Sequence, residues 1–418
     1  MDKDQNYDKE TKNYDEETKN YDEEINSSAL SSLDSFGILQ RTSTDSSSSP
    51  DHRHLLESST RSDMQLFKSR ISKLLLGEDM SGCGKGVTTA LAISNSITNL
   101  FVNIYGELMV RLESLPYEKK LMWNQEIDCL VSVCDYIFEP ISTEPTDHPQ
   151  MRPRSDIANN LPALKKLDNM LQTMIEGFQA TEFWYLEKQK LPTSKGGAMG
   201  SIRWASNPKN VDKWWLPLPC VPSNGLSEKT TENLIRTRKC ADQIYKAAHT
   251  INSIVLSEME VPQIYTASLH KNARKYLGDG VYRYMKSTNE DFFPENLLKS
   301  LDLDSSEHKA LEVADLFEAS MYIWRRKASV RNEMNIDVES KNTLLANRAE
   351  NTLKYLKHLY PQLSQTTLDI SKIQYNTDIG QAILESYSRV LESFAFNVTA
   401  RIDDVLYIDG LSKNPHKA

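Results

Sequence analysis

Apolar residues recur every three or four positions through most of the chain beyond residue 62, which is the period of an amphipathic helix. This spacing predicts helices at 119–138, 163–183, 228–258, 307–331 and 341–359. Two further stripes are the clearest in the chain, one formed by Ala90, Ile93, Ile97, Leu100, Phe101, Ile104, Tyr105, Leu108 and Met109, the other by Ile379, Ile383, Tyr387, Val390, Leu391, Phe394, Val398, Ile402, Val405 and Leu406. Alternating Val/Ile runs of strand length are scarce, so the pattern predicts an all-α fold.

The last stripe covers some 30 residues and predicts a helical rod of ~45 Å. Trp123, Trp184 and Trp324 fall on helical stretches, so we expect all three indoles to lie in the core.

The first 61 residues lack this pattern. Residues 6–26 repeat a charged unit of seven three times (NYDKETK, NYDEETK, NYDEEIN), and each unit offers only one Tyr and one Thr or Ile to the seam of a coiled coil. A charged, disordered tail is therefore favoured over a coiled coil. Residues 27–61 are rich in Ser and Thr, cannot bury a core and could accept phosphate. We predict a disordered tail at 1–61 and a folded domain at 62–418.

Charge and cysteine usage exclude several classes of protein. The 418 residues carry a net charge of -9, of which residues 1–26 hold -6, leaving -3 for the rest. This balance offers no broad positive surface for nucleic acid. Five cysteines with no Cys-x-x-Cys pair and eight scattered His indicate a reducing compartment without a zinc site. The polar N-terminus and the lack of an apolar run of ~18 residues lead us to expect a soluble intracellular protein.

One segment that connects predicted helices is much longer than the others. Residues 188–223 run for 36 positions without a helical pattern, and loops beyond ~12–15 residues are usually functional or disordered. The first half is Gly-rich, whereas Pro217, Pro219 and Pro222 stiffen the second half. Adjacent Trp214 and Trp215 lie on this stiff part and suit a wedge that presses into a partner. The alternative is that both rings fold back over the protein's own core.

A glycine-rich turn at 82–86 resembles a phosphate-binding loop, but its spacing fails. A Walker loop needs Gly five residues before the Gly-Lys pair and Ser or Thr after the Lys, and Asp79 and Gly86 occupy those places. An ATP-using enzyme is therefore disfavoured. The turn instead predicts a hinge between helices, carrying Glu78 and Asp79, where an anionic side chain of a partner could meet free N–H groups. A purely structural turn is the alternative. Motifs for covalent catalysis are absent.

Several blocks of sequence resemble one family. They are KLLLGEDMSG at 73–82 with GKG at 84–86, EFWY at 182–185, DKWWLP at 212–217, LSEME at 256–260, LDISKIQ at 368–374, GQA at 380–382 and ESYSR at 385–389. In this order they resemble PRONE, the plant-specific exchanger domain of Rho-of-plants (ROP) guanine nucleotide exchange factors. The resemblance spans about 62–408.

The resemblance implies an almost wholly helical domain with a long Gly/Pro-rich loop, and it allows a short β-hairpin arm. It implies a protein that binds plant Rho-type (ROP) small GTPases and speeds GDP release, with no metal, no cofactor and no covalent chemistry. Trp214 and Trp215 then reach toward the nucleotide site of the GTPase. We assign supporting contacts to Asp212, Lys213, Leu216, Glu78 and Asp79. A helical scaffold that tethers GTPases without exchange is the alternative.

The resemblance also implies a homodimer, whose contact we place on Leu66, Phe67 and Ile71 together with the last helix. It implies a cytoplasmic protein recruited peripherally to the plasma membrane, with receptor-like kinases as further partners. Cys83 stands where many relatives carry Gly. The chain ends at Ala418, before the longer C-terminal extension of relatives, so we expect control by the N-terminal tail, control by oligomerisation, or only weak control.

Overall fold

The computed structural model describes residues 87–141, 150–186, 216–287, 292–301, 303, 307–329, 336–360 and 363–413, all within one compact unit at 87–418. These residues form eleven α-helices, which confirms the predicted all-α fold. The helices are α1 (Thr89–Tyr105), α2 (Tyr117–Val131), α3 (Ser155–Glu176), α4 (Glu228–Glu258), α5 (Gln263–Ser268), α6 (Ala273–Met285), α7 (Pro294–Ser300), α8 (Glu307–Ser329), α9 (Ile336–Leu359), α10 (Thr367–Tyr375) and α11 (Ile379–Lys413).

Helix α11 is the central rod of the first group of helices. It packs against α1, α3 and α4, and α2 packs on α1; we call these five helices the α11 bundle. Phe101, Tyr105, Trp123, Tyr387 and Phe394 form the aromatic core between α1, α2 and α11, with ring centroids 4.6–6.4 Å apart. Tilted and edge-on aromatic pairs of this kind add stability beyond their burial.

A carboxylate lies inside this aromatic core. Asp168 on α3 accepts hydrogen bonds from Trp123 Nε1 at 2.8 Å and from the Tyr387 hydroxyl at 2.7 Å, while Gln172 donates to its other oxygen at 3.1 Å. Three donors offset the cost of burying the carboxyl group, and they fix the position of α3 against α2 and α11.

A second group, α5–α10, has a core of its own around α8, with Phe317 and Trp324 almost fully buried. We call it the α8 bundle. Hydrogen bonds join it to the α11 bundle: Lys372 Nζ donates to the Leu256 carbonyl at 2.6 Å, and Gln365 Nε2 donates to Glu385 at 3.1 Å.

Helix starts follow local chemistry. Ser227 and Thr88 have extended backbones, and their hydroxyls accept from N–H groups three residues ahead. Thr366 and Asp369 form a reciprocal capping box at the start of α10.

The predicted helix at 228–258 coincides with α4, and those at 307–331 and 341–359 correspond to α8 and α9. The predicted helix at 163–183 was wrong at both ends, because α3 runs from Ser155 to Glu176. The helix ends just before Gly177, whose N–H donates to the Met174 carbonyl three residues back at 3.1 Å. The stretch 119–138 corresponds to α2 and a following 3₁₀ turn at Ser132–Tyr136.

Trp123 and Trp324 are core residues as predicted, but the prediction for Trp184 was wrong. Trp184 lies in a strand and is 47% exposed. Side chains alternate along a strand, so burial of Phe183 and anchoring of Tyr185 turn the indole between them outward.

Four strands of three residues each occur among the described residues. Strands β1 (Phe138–Pro140) and β2 (Met151–Pro153) pair antiparallel, as do β3 (Trp184–Leu186) and β4 (Leu218–Cys220). None of the described helices is both long and apolar enough to cross a membrane. The predicted tail at 1–61, the stripe containing Leu66, Phe67 and Ile71, and the turn at 82–86 lie outside the described residues.

Candidate functional site: the base of the tryptophan loop

The β3–β4 ribbon brings together the two ends of the chain segment that carries Trp214 and Trp215. Trp184 pairs with Cys220, and Leu186 pairs with Leu218, so residues 187–217 leave and return at adjacent positions. We call this segment the tryptophan loop. Pro219 is tolerated in β4 because a two-stranded ribbon has only edge strands.

Strand β3 is anchored to the protein interior by aromatic residues in the strand and just before it. Phe183 is buried and meets Phe178 and Tyr185 edge-on, with centroids 6.5 and 6.1 Å apart. The Tyr185 hydroxyl accepts a hydrogen bond from the Leu112 N–H at 3.2 Å, and burial raises the pKa of Tyr185 well above its usual value. Tyr185 therefore stays neutral and ties β3 to the turn after α1.

The returning leg is anchored on both sides of β4. Leu216 is 8% exposed and Cys220 is 7% exposed, and β4 contacts α11. Leu216 follows Trp215 directly in the sequence, so the paired tryptophans are one residue from a buried anchor. In the free protein, the Leu216 side chain packs into the protein's own interior.

The chain then leaves the ribbon through a turn held by the end of α11. Gly225 has φ of +79°, a conformation that favours glycine, and a Cβ at this position would lie 2.7 Å from Asp409 Oδ1. The N–H of the next residue, Leu226, donates to the same oxygen at 2.6 Å, and Lys413 Nζ donates to the other carboxylate oxygen at 2.8 Å.

A second clamp joins the entrance of the ribbon to the start of α4. Glu182, two residues before β3, accepts from the Ser227 N–H at 2.8 Å and from its hydroxyl at 2.7 Å. These hydrogen bonds, the side-chain one first, lower the pKa of Glu182. Because Ser227 also caps α4, one residue orders both the helix start and the strand entrance.

The structure thus describes the base of the predicted site. Leu216 lies in it, whereas Trp214, Trp215, Asp212, Lys213, Glu78 and Asp79 lie outside the described residues, and their contacts stay predictions. Sequence reasoning assigned no role to Tyr185, Asp409 or the Glu182–Ser227 clamp, although EFWY at 182–185 belongs to the blocks that resemble the family. The Ser227-Glu228 helix start was a usable signal for Ser227, but nothing local marks Asp409, which acts on a residue 183 positions away.

Comparisons with known proteins identify the family of the chain. Residues 62–414 match the family model of PRONE (Plant-specific Rop nucleotide exchanger). The chain is 50% identical over 366 residues to Rop guanine nucleotide exchange factor 3 of Arabidopsis thaliana, covering 83% of this chain and 77% of that protein. It is 50% identical over 366 residues to Rop guanine nucleotide exchange factor 2 of the same plant, covering 83% and 75%. The match to Rop guanine nucleotide exchange factor 4 is 44% over 378 residues, covering 86% and 81%. The chain belongs to the PRONE family, the plant-specific Rop nucleotide exchangers.

Proposed function

We propose that this protein is a guanine nucleotide exchange factor that binds plant Rho-type (ROP) GTPases and accelerates GDP release so that GTP can load. The observation that carries the proposal is the PRONE match over residues 62–414, together with relatives at 50% identity that are named Rop guanine nucleotide exchange factors. The acceleration requires no covalent step.

Exchange is a matter of coupled binding. A GTPase that holds its nucleotide at about picomolar strength does so with ~16 kcal/mol, and weakening that grip 10⁵-fold takes ~7 kcal/mol of coupling. An exchange factor supplies this energy through contacts that are stronger in the nucleotide-free complex than in the nucleotide-bound one. Returning nucleotide then expels the exchange factor, by reciprocity.

We assign these contacts to the tryptophan loop. Trp214 and Trp215 insert beside the switch region and displace elements that hold Mg²⁺ and phosphate, while Asp212 and Lys213 orient the loop. The anchored base supports this assignment, since Leu216 and the β3–β4 pairing fix both ends of the loop before a partner arrives. Fixing the ends in advance lowers the entropy lost on binding.

Secondary contacts are assigned to Glu78 and Asp79, on the hinge that the sequence predicts, and to Leu216. For Leu216, burial in the free protein supports a role in holding the indoles rather than a large direct contact area.

The decisive experiment is stopped-flow release of fluorescent GDP from a plant Rho-type GTPase, with and without this protein. We expect release to accelerate by orders of magnitude. Unchanged release with measurable binding would instead identify a tethering scaffold, which would bind the GDP-bound and nucleotide-free GTPase equally well. An exchange factor binds the nucleotide-free form more tightly.

We further propose that the protein acts as a homodimer through Leu66, Phe67 and Ile71 with α11, and that it works at the plasma membrane as a peripheral protein with receptor-like kinases as further partners. Light scattering at micromolar concentration tests the dimer, and a monomer would refute it. Membrane fractionation with and without the GTPase tests the recruitment, and a pull-down with recombinant receptor-like kinase domains tests their binding.

A further inference from the structure

A cleft of about 590 Å³ opens between α4, α8, α9, α10 and α11, where the two bundles meet. Its volume falls in the range of small-molecule sites, roughly 300–1,000 Å³. It is lined by residues of the described bundles, and none of the described residues at the base of the tryptophan loop is among them.

One wall of the cleft is aromatic. Tyr245 and His249 on α4 stack with ring centroids 5.8 Å apart, and Phe396 on α11 lies 6.2 Å from Tyr245. Tyr322 and Tyr360 also line the cleft, from the side of the α8 bundle. An aromatic ring of a ligand would meet apolar faces on more than one side.

Most charges in the cleft already have partners. Arg325 and Lys354 share Glu350 at 2.8 and 2.9 Å, and His249 Nδ1 lies 2.8 Å from Glu392 Oε1. The buried and half-buried ionisable groups are also engaged: Arg389 with Glu385 at 2.6 Å, Lys372 with the Leu256 carbonyl at 2.6 Å, and Glu318 with the Thr366 hydroxyl at 2.6 Å.

Lys357 is different. Its side chain lines the cleft and is exposed, and among the described residues its ammonium has no hydrogen-bond or ion-pair partner. Its charge nevertheless acts on Glu318 and Lys372 below it and on His249 across the cleft, opposing the rise in the pKa of His249 that the Glu392 hydrogen bond causes. Lys357 is therefore an exposed cation in an aromatic-lined cleft, without a partner among the described residues.

We propose that this cleft is a binding site for a small organic anion with an aromatic body, whose carboxylate or phosphate binds Lys357 while its ring packs against Tyr245, His249 and Phe396. An anion here gains a charge-assisted hydrogen bond without breaking an existing ion pair. The proposal does not rest on nucleotide exchange, because its evidence comes from the cleft alone and the described base of the tryptophan loop contributes no residue to the cleft.

The test is calorimetric titration of the full chain, without GTPase, using 2-naphthoate as the probe. We expect binding with a Kd below about 1 mM. Lys357→Gln should weaken binding at least about five-fold, because the variant lacks the partly exposed charge that binds the anionic group of the probe. Lys341→Gln is the matched control, because it removes the same charge from the same helix, about 24 Å away along its axis.

Two further measurements separate the charge from the rings. The neutral analogue 2-naphthylmethanol should bind at least about five-fold more weakly than the naphthoate, and Phe396→Leu should weaken the naphthoate while leaving the far-ultraviolet circular dichroism unchanged. Lack of binding up to the solubility limit of the probe would overturn the proposal. So would equal affinity of the Lys357→Gln and Lys341→Gln proteins.

Phenyl phosphate, titrated in the same way, shows whether the site accepts a phosphate in place of a carboxylate. Inorganic phosphate, which has no ring, shows whether an aromatic group is needed for binding. We expect phenyl phosphate to bind at Lys357 and inorganic phosphate to bind more weakly. Equal binding of the two would contradict the aromatic part of the proposal.

Discussion

The Leu226 backbone N–H donates to Asp409 Oδ1 at 2.6 Å, which joins the chain just after the β3–β4 ribbon to the far end of α11. Both residues are buried, so water does not replace this bond when it is lost. The central rod of the α11 bundle thereby holds the exit of the tryptophan loop, and the Glu182–Ser227 clamp holds its entrance. The base of the tryptophan loop is therefore part of the protein core.

Replacing Asp409 should therefore weaken both the fold and exchange. Asp409→Ala leaves the buried Leu226 N–H without an acceptor, which costs about 1–3 kcal/mol of the free energy of unfolding. Asp409→Asn keeps an acceptor oxygen and should lose less. Urea unfolding and GDP-release rates measure the two effects. Asp403→Ala on the same helix, which breaks a half-exposed pair with Arg238, is the control and should change exchange little.

Two glycines beside Asp409 should respond in opposite directions to alanine. Gly225→Ala forces a Cβ to within 2.7 Å of Asp409 Oδ1 at a φ of +79°, so we expect a loss of about 2–3 kcal/mol in unfolding free energy, and slower exchange. Gly410→Ala meets nothing within 4 Å on α11 and should stabilise the protein by about 0.5–1 kcal/mol. Equal stability of the two variants in chemical denaturation would contradict this account of the turn.

Much of the fold could be predicted from the sequence because long helices bury periodic stripes. The predicted span 228–258 matches α4, whose start is capped by Ser227 and whose apolar stripe meets α11. The errors lie where tertiary contacts decide. Trp184 was expected in a helical core, but pairing with β4 and the anchoring of Tyr185 make this segment a strand and expose the indole.

The candidate site could be predicted only in part, for a physical reason. Proline stiffening and adjacent indoles mark Trp214 and Trp215 locally, whereas the base depends on pairs distant in sequence, such as Tyr185 with Leu112. A hydrogen bond between distant residues leaves no periodic trace in the sequence. The same holds for Asp168, an acid on an otherwise ordinary helix that binds Trp123 and Tyr387 inside the core.

The paired indoles carry the proposed exchange activity, so Trp214→Ala and Trp215→Ala should each slow GDP release at least about ten-fold, the loss of roughly 1.4 kcal/mol of coupling or more. The far-ultraviolet circular dichroism should stay unchanged. Tyr117→Ala, which removes an aromatic ring that is 77% exposed at the start of α2, is the control. Wild-type release rates in both tryptophan variants would remove the loop from the mechanism.

Glu318 should make stability depend on pH around neutrality. Burial raises the pKa of Glu318 from its ordinary 4.5 to about 7; the charge of Asp369 adds to the rise, and the Thr366 hydrogen bond and Lys357 oppose it. Because the folded state binds this proton more tightly than the unfolded state, the stabilising contribution is complete below pH 4.5. It is lost as the pH rises through 7.

Glu318→Gln removes this titration while its amide oxygen still accepts from the Thr366 hydroxyl, which lies 2.6 Å from the carboxylate. Relative to wild type, the variant should therefore gain stability as the pH rises from 5 to 8, by on the order of 1–3 kcal/mol in unfolding free energy. Urea unfolding at pH 5 and pH 8 measures the difference in unfolding free energy between the variant and the wild type. The titration of His249 cancels in this difference because both proteins contain His249. Glu312→Gln, at an exposed position on the same helix, should show no such gain, since its pair with His308 is exposed to solvent. A constant difference between Glu318→Gln and wild type from pH 5 to 8 would mean that Glu318 is already ionised in the folded protein throughout this range.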